Sequence, residues 1–160
     1  MAIKAGDRLP AGELRIMGKD GPQKVTAEQL FKGKTVVLFS VPGAFTPTCS
    51  ERHLPGFVER FDDFHKRGIE VLCMSVNDPF VMKAWGESQH VPHGLQMLAD
   101  GNGEFSRALG LEMDASAYGM GTRSKRFALY AEDGVVKQLH VEAPGEFRVS
   151  SADYVLEQLG

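Results

Sequence analysis

Two stretches of this chain are apolar almost without interruption. Residues 35–41 (TVVLFSV) and 69–76 (IEVLCMSV) are dense in β-branched and aromatic side chains, the pattern of strands covered on both faces in a parallel sheet. Between them Leu54, Phe57, Val58, Phe61 and Phe64 recur three or four apart, which predicts one amphipathic helix over about 48–66, stopped by Gly68. Strand, helix and strand make a right-handed βαβ unit. Pro55 falls inside that helix without an N–H and predicts a kink there.

The same reading covers the rest of the chain. Leu14–Met17 and its glycine-rich surroundings predict an edge hairpin, followed by a brief helix that Thr26 caps and that runs to Phe31. Asp78-Pro79 is an N-cap with proline at the first helical position; it opens a helix to about His90, with Phe80, Val81, Ala84 and Trp85 turned to the core or to a partner. Residues 95–99 predict a third strand, 100–103 a turn, and 104–109 a short helix ended by Gly110; 111–122 is expected to be an irregular loop. Segments 126–131 and 135–141 flank Asp133-Gly134, a strong hairpin signal. Ser150 is expected to cap a last helix carrying Val155, Leu156 and Leu159.

Composition narrows the function classes. With 160 residues the chain has the size of one domain, 1–160, able to bury roughly 70% of its unfolded surface. A net charge of −3 without a basic stripe argues against nucleic acid. No apolar run approaches the ~20 residues of a membrane span, and the segment from Met1 to Asp7 lacks a leader core. The expected location is therefore intracellular, in the cytoplasm. The two cysteines, Cys49 and Cys73, are too few for a disulfide framework and form no Cys-x-x-Cys, so they are expected as free thiols in a reducing compartment.

The candidate chemistry lies where the first long strand ends. Pro42-Gly43 terminates it, and Cys49 opens the helix that follows. The first N–H groups of a helix have no internal partners and its dipole is positive there, which favours a thiolate, the reactive form of cysteine. Thr46 is placed to bring its hydroxyl beside the sulfur, and Pro42 and Pro47 stiffen the loop. The competing reading makes Cys49 a small buried apolar residue and Thr46 only a cap.

Pro42-Gly43-Ala44-Phe45-Thr46-Pro47-Thr48-Cys49 resembles the Pro-xxx-Thr-xx-Cys active-site motif of peroxiredoxins. The blocks PGAFTPTCSERHLPGF, LCMSVNDPFVMKAW, LADGNGEFSRALGLEMD and GTRSKRFALY, in that order, are similar to the class-5 (type II) subfamily and span nearly the whole chain. The order of elements matches a thioredoxin-like three-layer sandwich, a central mixed β-sheet flanked by helices, and the resemblance implies the same fold. It implies a thiol peroxidase in which Cys49 attacks hydrogen peroxide or an alkyl hydroperoxide, becomes a sulfenic acid and is recycled by an external thiol, glutaredoxin with glutathione or thioredoxin. It also implies a homodimer through the edge carrying Phe45 and Phe80.

An arginine suits such a site, because a planar, permanently charged group can hold a thiolate and polarise a peroxide together. Arg123 and Arg126 are the candidates, and the family's arginine, which begins the strand after the loop, matches Arg126. Thr46 is expected to accept from one donor and bond the peroxide. Relatives often carry a resolving cysteine near the C-terminus; this chain has none after Cys73, which reads as a core thiol in its strand. His53, four residues after Cys49, raises a Cys/His hydrolase, but no third group is evident to orient it. The other histidines are scattered, and no metal or cofactor is expected. The alternative from another class is a non-catalytic thioredoxin-like binding or chaperone-like module in which Cys49 is incidental.

Overall fold

The structure is a computed structural model and describes residues 2–160; Met1, part of the segment read above as lacking a leader, lies outside them. The chain runs β1 (Glu13–Gly18), β2 (Gly21–Thr26), α1 (Ala27–Phe31), β3 (Thr35–Val41), a π turn (Cys49–His53), α2 (Leu54–Glu59), α3 (Phe61–Lys66), β4 (Ile69–Ser75), α4 (Pro79–Ser88) and β5 (Gln96–Ala99). It continues through α5 (Glu104–Leu109), β6 (Glu112–Asp114), a 3₁₀ turn (Ser116–Tyr118), β7 (Thr122–Ser124), β8 (Phe127–Glu132), β9 (Val135–Val141) and α6 (Ala152–Leu159).

One seven-stranded sheet has the order β2-β1-β5-β4-β3-β8-β9. β3 is an inner strand, parallel to β4 and antiparallel to β8, so the sheet is mixed and the fold is thioredoxin-like. Alternation along β3 explains its unbroken apolar run. Val37, Phe39 and Val41 face a core shared with Leu54, Phe57 and Phe64 of the helical segment after β3, Trp85 of α4 and Val155 of α6. Val36 and Leu38 face the opposite core, with Phe31 of α1 and Phe105 and Leu109 of α5. Every side chain of such a strand leaves water, which favours burial by about 25 cal/mol per Å² of apolar area.

The single helix expected over 48–66 is in fact three pieces. Leu54 N–H bonds the Cys49 carbonyl, a π pattern, and α-helical bonding resumes with Pro55 in the first turn of α2. A proline ring clashes with the carbonyl four residues earlier; widening the turn ahead of it is how the chain accommodates Pro55, in place of a kink within a regular helix. The break falls instead at Arg60 (φ −96°, ψ 6°).

Further differences have causes in particular contacts. α4 buries Met82, Trp85 and Gly86, while Phe80 and Ala84 of the expected face are exposed. Gly86 decides this, because a Cβ there would stand 3.0 Å from Met97 Cγ, and a bare backbone lets the helix approach β5 along that stripe. Residues 111–122, expected as a loop, hold β6, the 3₁₀ turn and the start of β7, paired through Met113 and Arg123. The cap of α6 is Ser151, whose Oγ accepts from Tyr154 N–H; Ser150 is engaged elsewhere. Asp133 (φ 49°) and Gly134 (φ 77°) form the expected left-handed hairpin turn.

Candidate active site

β3 and β4 deliver their carboxyl ends to the same place, the usual location of a site in an open α/β sheet. Beyond β3, Ala44 N–H donates to Asn77 Oδ1 (2.9 Å), which also accepts from Ser75 Oγ (2.6 Å), so the loop is tied to the end of β4. Gly43 is closely packed, since a Cβ would meet Met120 Cε at 2.9 Å and Thr46 Cγ2 at 3.1 Å. Thr46 Oγ1 donates to the Gly43 carbonyl (2.6 Å) and the Thr46 carbonyl accepts from Ser50 N–H (2.9 Å), which folds the loop into the turn that carries Cys49. Trp85 Nε1 donates to Ser50 Oγ (3.0 Å), fastening that turn to α4.

Cys49 is completely buried. Its Sγ accepts from Arg126 Nη2 at 3.1 Å, a bond from a permanently charged donor. Arg126 lies one residue ahead of β8 rather than in it. Arg123 does not reach the sulfur: its Nε donates to the Met120 carbonyl (2.9 Å) and its Nη1 to that of Pro42 (3.5 Å), bracing the loop.

The second hand of Arg126 is on His53. Arg126 Nη1 lies 2.9 Å from His53 Nδ1, and His53 Nε2 lies 2.8 Å from the Ser150 carbonyl. A guanidinium can only donate and a carbonyl only accept, so Nδ1 is the acceptor and Nε2 carries the proton. Burial first, and the Arg126 charge second, push the His53 pKa down to about 3, against the Ser150 bond. With Nδ1 held by Arg126 and Nε2 by Ser150, neither ring nitrogen is free to take a proton from a nucleophile, which argues against the Cys/His hydrolase. The expectation that nothing orients this ring is corrected: two groups do. Phe147 covers them, its ring 4.9 Å from that of His53 and 5.8 Å from Arg126 Cζ.

A cleft of about 340 Å³ opens above Arg126, with Pro42, Thr46, Met113, Tyr118 and Met120 in its walls. Thr46 is thus at the cleft, with its proton committed to Gly43 and its lone pairs available. A larger hollow of about 500 Å³ beside α4 contains no cysteine. Cys73 is also buried, in the same core cluster as Cys49; burial, then the neighbouring Cys49, push its thiol well above the ordinary value of 9.0. Among the described residues no three metal-ligating side chains gather.

A buried sulfur held by an arginine at the start of a helix is chemistry that many thiol enzymes share, and comparison with known proteins decides between them. The redoxin family model matches residues 4–156. Peroxiredoxin-2B of Arabidopsis thaliana is 47% identical over 159 residues, 98% of each chain. The chain belongs to the peroxiredoxins. Peroxiredoxin-2E-2, chloroplastic, of Oryza sativa subsp. japonica is 50% identical over 98% of this chain and 72% of that protein. The crystal structure of reduced Prx3 of Vibrio vulnificus in complex with H₂O₂ superposes with a TM-score of 0.94 at 48% identity, over 99% of both chains. As a peroxiredoxin, the protein is an oxidoreductase that reduces hydroperoxides with electrons from thiols.

His53, Ser150 and Phe147 escaped the sequence reading as parts of this peroxiredoxin's site. His53 carried a signal, its spacing from Cys49. The other two carried none, because they reach the site from the far end of the chain.

Proposed function

We propose that Cys49 is the sulfur that reduces the peroxide, that Arg126, Thr46 and Pro42 form its pocket, and that the protein is a class-5 peroxiredoxin working through one cysteine. The observation that carries this is the 3.1 Å bond from Arg126 Nη2 to the buried Cys49 Sγ. The thiolate attacks the terminal oxygen of ROOH; the O–O bond breaks, Cys49 keeps that oxygen as sulfenic acid, and RO⁻ leaves as ROH after taking a proton. Arg126 donors stabilise the charge as it moves from sulfur to the departing oxygen. Thr46 Oγ1 accepts from the peroxide hydroxyl, and Pro42 walls the cleft. An external thiol then attacks the sulfenic sulfur, releasing water and leaving a mixed disulfide that a second thiol reduces.

Hydrogen peroxide and alkyl hydroperoxides are the proposed substrates; the Vibrio Prx3 complex supports the first, and the apolar Met113 and Met120 in the cleft support the second. Glutaredoxin with glutathione, or thioredoxin, is the proposed reductant. Cys73 is not a resolving partner, because its strand is paired on both sides, with Phe39 in β3 and Met97 in β5. With the Cys73 backbone held on both sides, a disulfide would have to come from movement of the Cys49 turn alone. A homodimer in the cytoplasm completes the proposal, supported by Phe45 and Phe80, 56% and 64% exposed, and by the free thiols.

Peroxide consumption with a thiol donor tests the assignment. Cys49→Ser should abolish it; equal consumption by this variant and the wild type would favour the binding or chaperone-like module instead.

A further inference from the structure

Glu142, at the end of the sheet just past β9, is 6% exposed, and among the described residues it has no cationic side chain against it. Its carboxylate is instead wrapped by the backbone that follows. Arg148 N–H stands 2.8 Å from both oxygens, and Oε2 also accepts from Val149 N–H (2.8 Å), Ser150 N–H (2.9 Å) and Ser150 Oγ (2.6 Å). Burial works against the charge, but these donors outweigh it and keep the carboxyl below its ordinary value. A buried anion costs several kcal/mol unless its bonds are complete, so the arrangement calls for a purpose beyond filling space.

Two connections give it one. Glu142 N–H donates to the Arg126 carbonyl (3.0 Å), fixing the backbone at one end of that residue. The carboxylate fixes Ser150, whose carbonyl sets the His53 tautomer, and His53 Nδ1 then receives Arg126 Nη1 at the other end. We infer that Glu142 is a positioning residue for the peroxide reaction: through Ser150 and His53 it holds the Arg126 guanidinium on the Cys49 sulfur. The inference rests on Cys49 as the peroxide-reducing group.

A double-mutant cycle tests it on the full-length protein, read as the second-order rate of Cys49 with hydrogen peroxide and, independently of peroxidase activity, with iodoacetamide. Glu142→Gln keeps the shape but sets an NH₂ against an N–H donor, and should slow both rates about tenfold; His53→Ala should cost as much or more. If Glu142 acts through His53, adding Glu142→Gln to His53→Ala should cost less than about twofold. Loss by the same tenfold factor in both backgrounds would overturn the positioning role. Ser150→Ala removes one donor and retains the carbonyl, so the cycle repeated with it decides the matter if Glu142→Gln does not fold: its loss of about threefold should likewise vanish in His53→Ala. A wild type that alkylates at Cys49 but consumes no peroxide would count against the proposed function alone, since the alkylation cycle still reads the positioning.

Discussion

Replacing Arg126 by alanine removes one side chain from two partners, and the structure sets the size of both effects. The bond to Cys49 Sγ is charge-assisted, of a kind that contributes about 1.5–3 kcal/mol. If that much is lost from the transition state, where charge passes from sulfur to the leaving oxygen, the rate with peroxide falls between about tenfold and 150-fold. His53 Nδ1 meanwhile loses its donor inside a fully buried site, and an unsatisfied buried acceptor costs about 1–3 kcal/mol of stability. The fold should survive, because Arg126 itself is only partly buried and lies outside β8. Trp85, the one tryptophan of the chain, is bonded to Ser50 beside Cys49, so its fluorescence should report oxidation of the sulfur in a stopped-flow experiment. Arg126→Ala reacting with hydrogen peroxide within about twofold of the wild type, with Cys49 still the oxidised residue, would refute the reasoning.

Acid should destabilise the protein through His53. Its folded pKa of about 3 lies below the ordinary histidine value of 6.5, so the unfolded chain binds the extra proton first, and stability present above pH 6.5 is lost as pH falls toward 3. Glu142, also lowered, adds in the same direction; urea midpoints from pH 7 to 4 should show a shallower fall for His53→Gln, and an identical fall would dismiss His53 as the cause. Phe45→Asp should shift sedimentation at micromolar concentration from dimer to monomer, whereas a wild type already monomeric would count against the dimer. Cys73→Ser should retain most thiol-dependent peroxidase activity, and after one equivalent of peroxide the wild type should carry a sulfenic acid or mixed disulfide at Cys49. A product two daltons lighter yielding a joined Cys49 and Cys73 peptide would show the opposite.

Much of this molecule is written locally. The run from Thr35 to Val41 reads as a strand from its own residues, because it is short, β-branched and ended by Pro42-Gly43, and its lack of alternation means burial on both faces. Asp78-Pro79 and Thr26 cap helices because their oxygens accept from Val81 and Gln29 N–H within the same turn. Asp133-Gly134 turns the chain because those residues tolerate positive φ. The motif from Pro42 to Cys49 is equally local, so Cys49 and Thr46 stood out as candidates from the residues alone.

Contacts between distant segments decided the remainder. Ser150 and Ser151 are equivalent caps by pattern; Glu142, eight residues back in a folded loop, claims the first and leaves the second to α6. Arg123 and Arg126 are equivalent by composition, and only the path of the chain from β7 into β8 brings the latter to the sulfur. Phe80 shares its periodicity with buried neighbours, yet the close approach of Gly86 to Met97 turns it outward. His53 has the right spacing in the sequence, but its role depends on a carbonyl 97 residues away. Propensity and capping act within a turn or two and leave their mark in adjacent residues, whereas the bonds that orient Arg126 join groups with no short-range relation, and they exist only once the sheet has brought its ends together.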